Sequence, residues 1–167
     1  MSNSLRMSDY PDLIRAIGSL PDDSQVASLR ELCRTDLYFL LRYAMQRVDM
    51  DDVAYPEWLF DRCREVQANP DGYIDLWARE AFKSSIITSG LTIQTILRGY
   101  GDGKIGLDEP TICIFSHTRP IAKAFLRQIR SELTNNASLK AWFPDIFYDN
   151  PERQSPRWSD EGLIFKR

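Results

Sequence analysis

Apolar positions recur every three or four residues over several stretches of this chain and run almost unbroken over a few others. Between residues 26 and 47, Leu29, Leu32, Cys33, Leu37, Leu40, Leu41 and Ala44 keep helical spacing. Thr35 and Asp36 are placed to cap a second helical piece, so one helix or two both satisfy the pattern. Ahead of this, a short helix fits Pro11 to Ile17, with proline in its first turn, and "SLPDDSQ" then breaks the periodicity. "MDDVAYPEWLFDRCREVQANPDG" reads as turn, helix, turn, with Trp58, Leu59, Cys63 and Val66 on one side.

The second half changes period. "YIDLW" (73–77), "TICIFS" (111–116) and the closing "GLIFKR" are short apolar runs that suit strands. "TICIFS" is apolar almost throughout, as a strand buried on both faces is. Between the first two lies "SSIITSGLTIQTILRGY" (84–100), helix-like through Ile86, Ile87, Leu91, Ile93, Ile96 and Leu97, although its β-branched residues also suit a strand. After a glycine-rich connector and the second strand, "HTRPIAKAFLRQIRSELTNN" opens a helix with Ser116 or Thr118 as cap, followed by a loop rich in proline and asparagine.

Strand, helix, strand, helix predicts an α/β fold: a parallel sheet with flanking helices, preceded by a helical N-terminal segment. Residues 1–70 form the helical lead-in and 71–167 the sheet-bearing part. With its last strand flush with the final residue, this part reads as an incomplete domain.

Composition narrows the classes. The chain has 167 residues, 43% hydrophobic and 27% charged, with net charge −3, which fits a globular protein and argues against a general basic coat. No apolar run spans a bilayer, and the N-terminus lacks the order of a secretory signal. Cys33, Cys63 and Cys113 are scattered and read as reduced thiols. His117 is the sole histidine and no cluster of ligands surrounds it in the sequence, which argues against a zinc site.

The strongest candidate chemistry is "WAREAFKSS" (77–85), between a predicted strand and a predicted helix. In a phosphate-binding loop of GxxxxGK[ST] spacing, backbone N–H groups wrap the phosphates, a lysine bridges them and the next hydroxyl holds Mg²⁺. With Lys83 as that lysine, Ser84 is the hydroxyl, and Trp77 and Phe82 occupy the glycine positions. Glycine is favoured there for its positive φ and close backbone approach. Arg79, four residues before Lys83, offers a second positive charge for the γ-phosphate. The competing reading is an ordinary turn and a helix capped by Ser84.

Other features are weaker. Ser116, His117, Thr118 and Arg119 follow the second strand and either cap a helix or touch phosphates. Arg119, Lys123, Arg127 and Arg130 share one face of the next helix, a stripe that tracks a nucleic-acid backbone or is a solvated side. Trp58 and Phe60 lie one helix upstream of the loop, as core or as a platform for a base. Gly99, Gly101 and Gly103 follow a helix, the wrong context for a dinucleotide fingerprint.

Three strings, "WAREAFKSSIITSGLTIQTILRG", "ICIFSHTRPIAKAFLRQIRSEL" and "FPDIFYDNPERQSPRWSDEGLIFKR", resemble the N-terminal ATPase part of phage terminase large subunits, the motors that package DNA into phage heads. "DLYFLLRYAMQ" and "PEWLFDRCREV" resemble the same family's helical lead-in, so the resemblance runs from about Leu32 to Arg167. That family has a deviant loop with an arginine four before the lysine and relaxed glycines, which Arg79, Lys83 and Ser84 match. Its members carry histidine and threonine at the positions of Ala81 and Ser85, where this chain departs. The resemblance implies a P-loop NTPase-type fold, ATP and Mg²⁺ as cofactors, and a nucleotide site comprising Trp58, Glu80, Ala81, Phe82, Lys83, Ser84 and Ser85.

The resemblance further implies Ser84 as the metal ligand and a nucleic-acid-touching loop at His117 and Arg119, to which the spacing of the basic stripe adds Lys123 and Arg127 as candidate contacts. It implies double-stranded DNA, a small terminase subunit and a portal ring as partners, an oligomeric ring for the full-length motor, and action in the host cytoplasm during phage assembly. The family's Walker B strand, catalytic glutamate and nuclease domain find no match: no apolar run here ends in paired carboxylates, and Asp51-Asp52 precedes the loop. ATP binding with little or no hydrolysis is expected. The alternative is a non-catalytic fragment that binds DNA or a partner.

Overall fold

The computed structural model describes residues 5–51, 56–68, 76–78, 81–99 and 111–166. The chain divides into two units, Met1–Tyr73 and Ile74–Arg167.

The first unit is helical. A 3₁₀ turn, Met7–Asp9, leads into α1 (Tyr10–Gly18), then α2 (Asp22–Thr35) and α3 (Leu37–Phe39), which runs on as a π-helical turn, Leu40–Ala44. A second 3₁₀ turn, Val48–Met50, and α4 (Pro56–Ala68) complete it. The predicted 26–47 helix is two pieces. Asp36 sits in extended conformation between them and its carboxylate accepts the backbone N–H of Phe39. The first piece begins at Asp22, inside the stretch read as a break.

Asp36 is also the centre of the unit. The buried Tyr10 hydroxyl donates to its Oδ2 at 2.6 Å, and Arg64 from α4 donates to the same oxygen at 3.2 Å and to Tyr10 Oη at 3.0 Å. Three helices are thereby tied at one carboxylate that is only 4% exposed. Buried polar groups are tolerated when each finds partners, and here they fix α1 and α4 to the start of α3. Around this hub pack Leu29, Cys33, Leu37, Phe39, Leu40, Leu41, Leu59, Cys63 and Val66, with Tyr38 edge-on to Phe60 at 5.1 Å.

In the second unit a continuous helix starts with a π-helical stretch, Ser84–Leu91, and continues as α5 (Thr92–Arg98). Then come α6 (Arg119–Asn135), α7 (Ala137–Trp142), α8 (Pro151–Gln154) and a hairpin of β1 (Trp158–Ser159) and β2 (Gly162–Leu163). Ile86, Ile93, Ile96 and Leu97 from the first helix, Ile129 and Leu133 from α6, and Leu139, Phe143, Ile146 and Phe147 form the core. The helical reading of this stretch therefore prevails over the strand at residues 84–98.

The predicted parallel sheet is corrected. Among the described residues the only sheet is the two-stranded antiparallel hairpin, with Trp158 opposite Leu163 and Ser159 opposite Gly162. Thr111–Ser116 has no strand partner among the described residues. Ile112 is 38% and Phe115 is 89% exposed, so its apolar run does not reflect burial on two faces. "GLIFKR" contributes Gly162–Leu163 to a hairpin and not a third parallel strand. Residues 73–75 of the first predicted strand lie outside the described residues, and Leu76 and Trp77 are in no strand. The described residues are helical with a small hairpin, and among them the apolar runs that suggested strands find none of the parallel neighbours a ladder requires.

Candidate functional site

The loop before the long helix holds a conformation that its sequence disfavours. Phe82 has φ +59°, in the left-handed region where a side chain meets the following carbonyl at a cost of about 1–2 kcal/mol. This is the residue that stands at the second glycine position of the phosphate-loop spacing. The left-handed geometry expected to need glycine is thus present, carried by phenylalanine.

Directly after it the chain enters the helix. Lys83 precedes the first π-helical residue, and no side chain caps this end. Ile86 N–H bonds back to the Phe82 carbonyl at 2.9 Å, so Phe82 closes the first turn. The N–H groups of a helix's first turn lack intrahelical partners and carry the positive end of its dipole. Lys83 and Ser84 are exposed and Ser85 is half-buried. Trp77, Ala78, Ala81, Phe82, Lys83, Ser84 and Ser85 line an open cavity of about 420 Å³. A lysine, two hydroxyls and a helix N-terminus therefore converge on one cavity. The helix interior is apolar: Ile86 and Ile93 are fully buried, which anchors the start of the loop from behind.

Arg79 and Glu80 lie outside the described residues. Trp58 belongs to the first unit, on α4, 40% exposed with the Arg62 guanidinium 5.8 Å from its ring centroid. Phe60 is packed in the aromatic cluster of Tyr10 and Tyr38 and under Arg64. Among the described residues no cluster of three or more His, Cys, Asp or Glu side chains is arranged for a metal ion. Ser84 offers one oxygen, so Mg²⁺ at this loop would be held chiefly by the phosphates of a nucleotide, a manner of binding usual for this ion.

The structure brings the four basic residues of α6 together with a feature not singled out in the sequence, the turn Asp160–Glu161 of the hairpin. Glu161 Oε1 lies 2.5 Å from Arg119 Nη2 and 2.7 Å from Lys123 Nζ. Asp160 lies 2.9 Å from Arg130 Nη1 and 3.4 Å from Arg127 Nε. Arg157 approaches Glu161 at 3.8 Å. Lys123 first, and Arg119 with it, hold the Glu161 carboxyl below its ordinary pKa. The hairpin is pinned to α6 by Trp158 Nε1–H donating to Thr134 Oγ1 at 3.0 Å. The sequence signal was the acidic pair in "SDEG", which only a register between the hairpin and the helix turns into a partner for the stripe.

His117 is exposed and, with Ser116 and Thr118, precedes α6. Thr118 occupies the N-cap position but makes no side-chain cap, so the capping role expected of it is not realised. Beside α6 a cavity of about 600 Å³ opens, apolar at Ile112, Phe115, Leu126 and Leu163 and charged where it meets Lys123 and Glu161. Among the described residues no helix is long and apolar enough to cross a membrane. No family model, curated protein or solved structure matches the chain.

Proposed function

We propose that residues 77–85 bind the phosphates of ATP with Mg²⁺, as the ATP-binding portion of a phage terminase large subunit that packages double-stranded DNA. The observation that carries this reading is Phe82 held left-handed immediately before Lys83 and Ser84 at an uncapped helix start. Strain of this kind persists where surrounding structure imposes it, and it concentrates at binding loops. Lys83 bridges the β- and γ-phosphates, Ser84 contributes its hydroxyl to Mg²⁺, and Arg79 supplies the second charge. The motif resemblance along the chain adds support that does not depend on sheet topology. A small terminase subunit and a portal ring are the partners this reading implies.

Isothermal calorimetry tests it. ATP with Mg²⁺ should bind, Lys83→Ala should weaken binding at least tenfold, and Ser84→Ala should reduce the contribution of Mg²⁺. No heat at millimolar ATP overturns the site. Turnover should be negligible, since no carboxylate in this chain matches the water-positioning or metal-holding acids of such motors.

A second reading is favoured by the surplus of cations on α6. Here the chain binds DNA through that helix without ATP chemistry. Binding would fall steeply with salt and be indifferent to Lys83→Ala.

A further inference from the structure

Five cations, Arg119, Lys123, Arg127, Arg130 and Arg157, face two carboxylates at the hairpin turn. Matched ion pairing would need as many acids as bases; this cluster keeps a surplus of three positive charges on a chain whose net charge is −3. The cations are not buried. The side chains of Arg119, Arg127 and Arg157 are 76%, 58% and 53% exposed. From Arg119 to Arg130 the stripe extends about 16 Å along the helix axis. Over that length a nucleic-acid duplex presents roughly ten phosphate charges.

We infer that the Asp160–Glu161 turn is an intramolecular stand-in for nucleic-acid phosphates: it occupies the basic face of α6 and competes with an external duplex for it. This rests on the second reading above. The two carboxylates take the same charge-assisted positions that phosphate oxygens would take, and one carboxylate oxygen of Glu161 is shared by Arg119 and Lys123. The Arg119–Glu161 pair is solvent-exposed and contributes little to stability, so it exchanges readily for a polyanion that meets several cations at once, while the Arg130–Asp160 pair is half-buried, with side chains 31% and 34% exposed, and is held more firmly. The hairpin itself keeps separate anchors: Trp158 on Thr134, the Trp158–Phe165 edge contact at 5.7 Å, and Lys166 N–H on the Ile146 carbonyl at 3.1 Å. Neutralising the turn therefore leaves the fold in place while opening the stripe.

The test uses the full chain and a 20-base-pair DNA duplex, read by fluorescence anisotropy from 50 to 200 mM salt. An Asp160→Asn, Glu161→Gln double variant should bind about tenfold more tightly than wild type at the lowest salt, with a steeper salt dependence. Adding Arg127→Ala to that variant should reverse part of the gain. In the wild type, amide signals of residues 158–163 should shift as duplex is added, a readout that needs no variant. Equal binding by wild type and double variant, or binding without any hairpin shift, overturns the inference and leaves the DNA-binding reading standing. Absence of duplex binding by every form overturns both.

Discussion

Phe82 concentrates the case for the loop in one backbone angle. If its φ of +59° is imposed by what the loop must present, glycine there should relieve strain and keep the geometry. Phe82→Gly is expected to retain ATP binding and match wild-type stability within about 1 kcal/mol, whereas Phe82→Val, a β-branched residue in the same region, should cost about 2 kcal/mol or more and abolish binding. Denaturant melts with calorimetry on both variants check this; equal behaviour of the two would remove strain from the account. The cysteines give a second residue-scale outcome. Cys33 and Cys63 are fully buried and burial pushes both thiols up to about 12, while Cys113 is exposed. One thiol per chain should react with a disulfide reagent at pH 8 under native conditions, and all three in denaturant. A Cys113→Ser variant that still labels natively would contradict the burial of the others.

At the scale of elements, the Asp36 hub makes the most demanding claim, since one carboxylate caps α3 and receives α1 and α4. Asp36→Ala should destabilise the chain by about 3 kcal/mol, through a lost cap and an abandoned Arg64. A double-mutant cycle with Tyr10→Phe should show coupling, because both changes break the same 2.6 Å bond. Strictly additive costs in denaturant unfolding would refute the hub. The same element scale shows what the chain made readable. Helices announced themselves by local spacing: α1, α4 and α6 fall where apolar periodicity and early prolines put them, and Asp36 was visible as a cap. α7 and α8, six and four residues long, were lost in a stretch rich in proline and asparagine. Strands failed for a non-local reason. "TICIFS" is β-prone in itself, but a strand exists only with a partner, and none lies beside it among the described residues. The placement of Lys83 and Ser84 at the start of a helix was legible from spacing alone. The clasp of Asp160 and Glu161 on α6 was not, since it joins residues 30 to 42 positions apart in chain order.

Over the whole molecule, buried acids that stay protonated set a direction for pH. The Cys33 and Cys63 thiols and the Tyr38 phenol are pushed up to about 12, burial being the largest cause for each, and burial raises Tyr10 as well. Unfolded thiols titrate near 8.5 and phenols near 10. Between about pH 8.5 and 12 the unfolded chain therefore releases protons that the folded chain retains, and stability falls as pH rises through that window. Each group contributes at most about 1.4 kcal/mol per pH unit, and none below pH 8. Urea midpoints should be level from pH 7 to 8 and drop from pH 9 upward; a flat alkaline limb would show that these groups are not withdrawn from water.

Thr111–Ser116 has a consequence for handling the protein. A β-prone run outside any helix or strand, with Phe115 facing solvent, Ile112 partly exposed and no strand neighbour among the described residues, is a template for the same run on another molecule. Concentrated solutions should scatter light increasingly with time, faster in kosmotropic salt, by the route that seeds intermolecular β-structure. Phe115→Lys places a gatekeeper charge on that edge and should slow the rise several-fold without altering helical content by circular dichroism. Colloidal behaviour, in this chain, turns on a six-residue stretch.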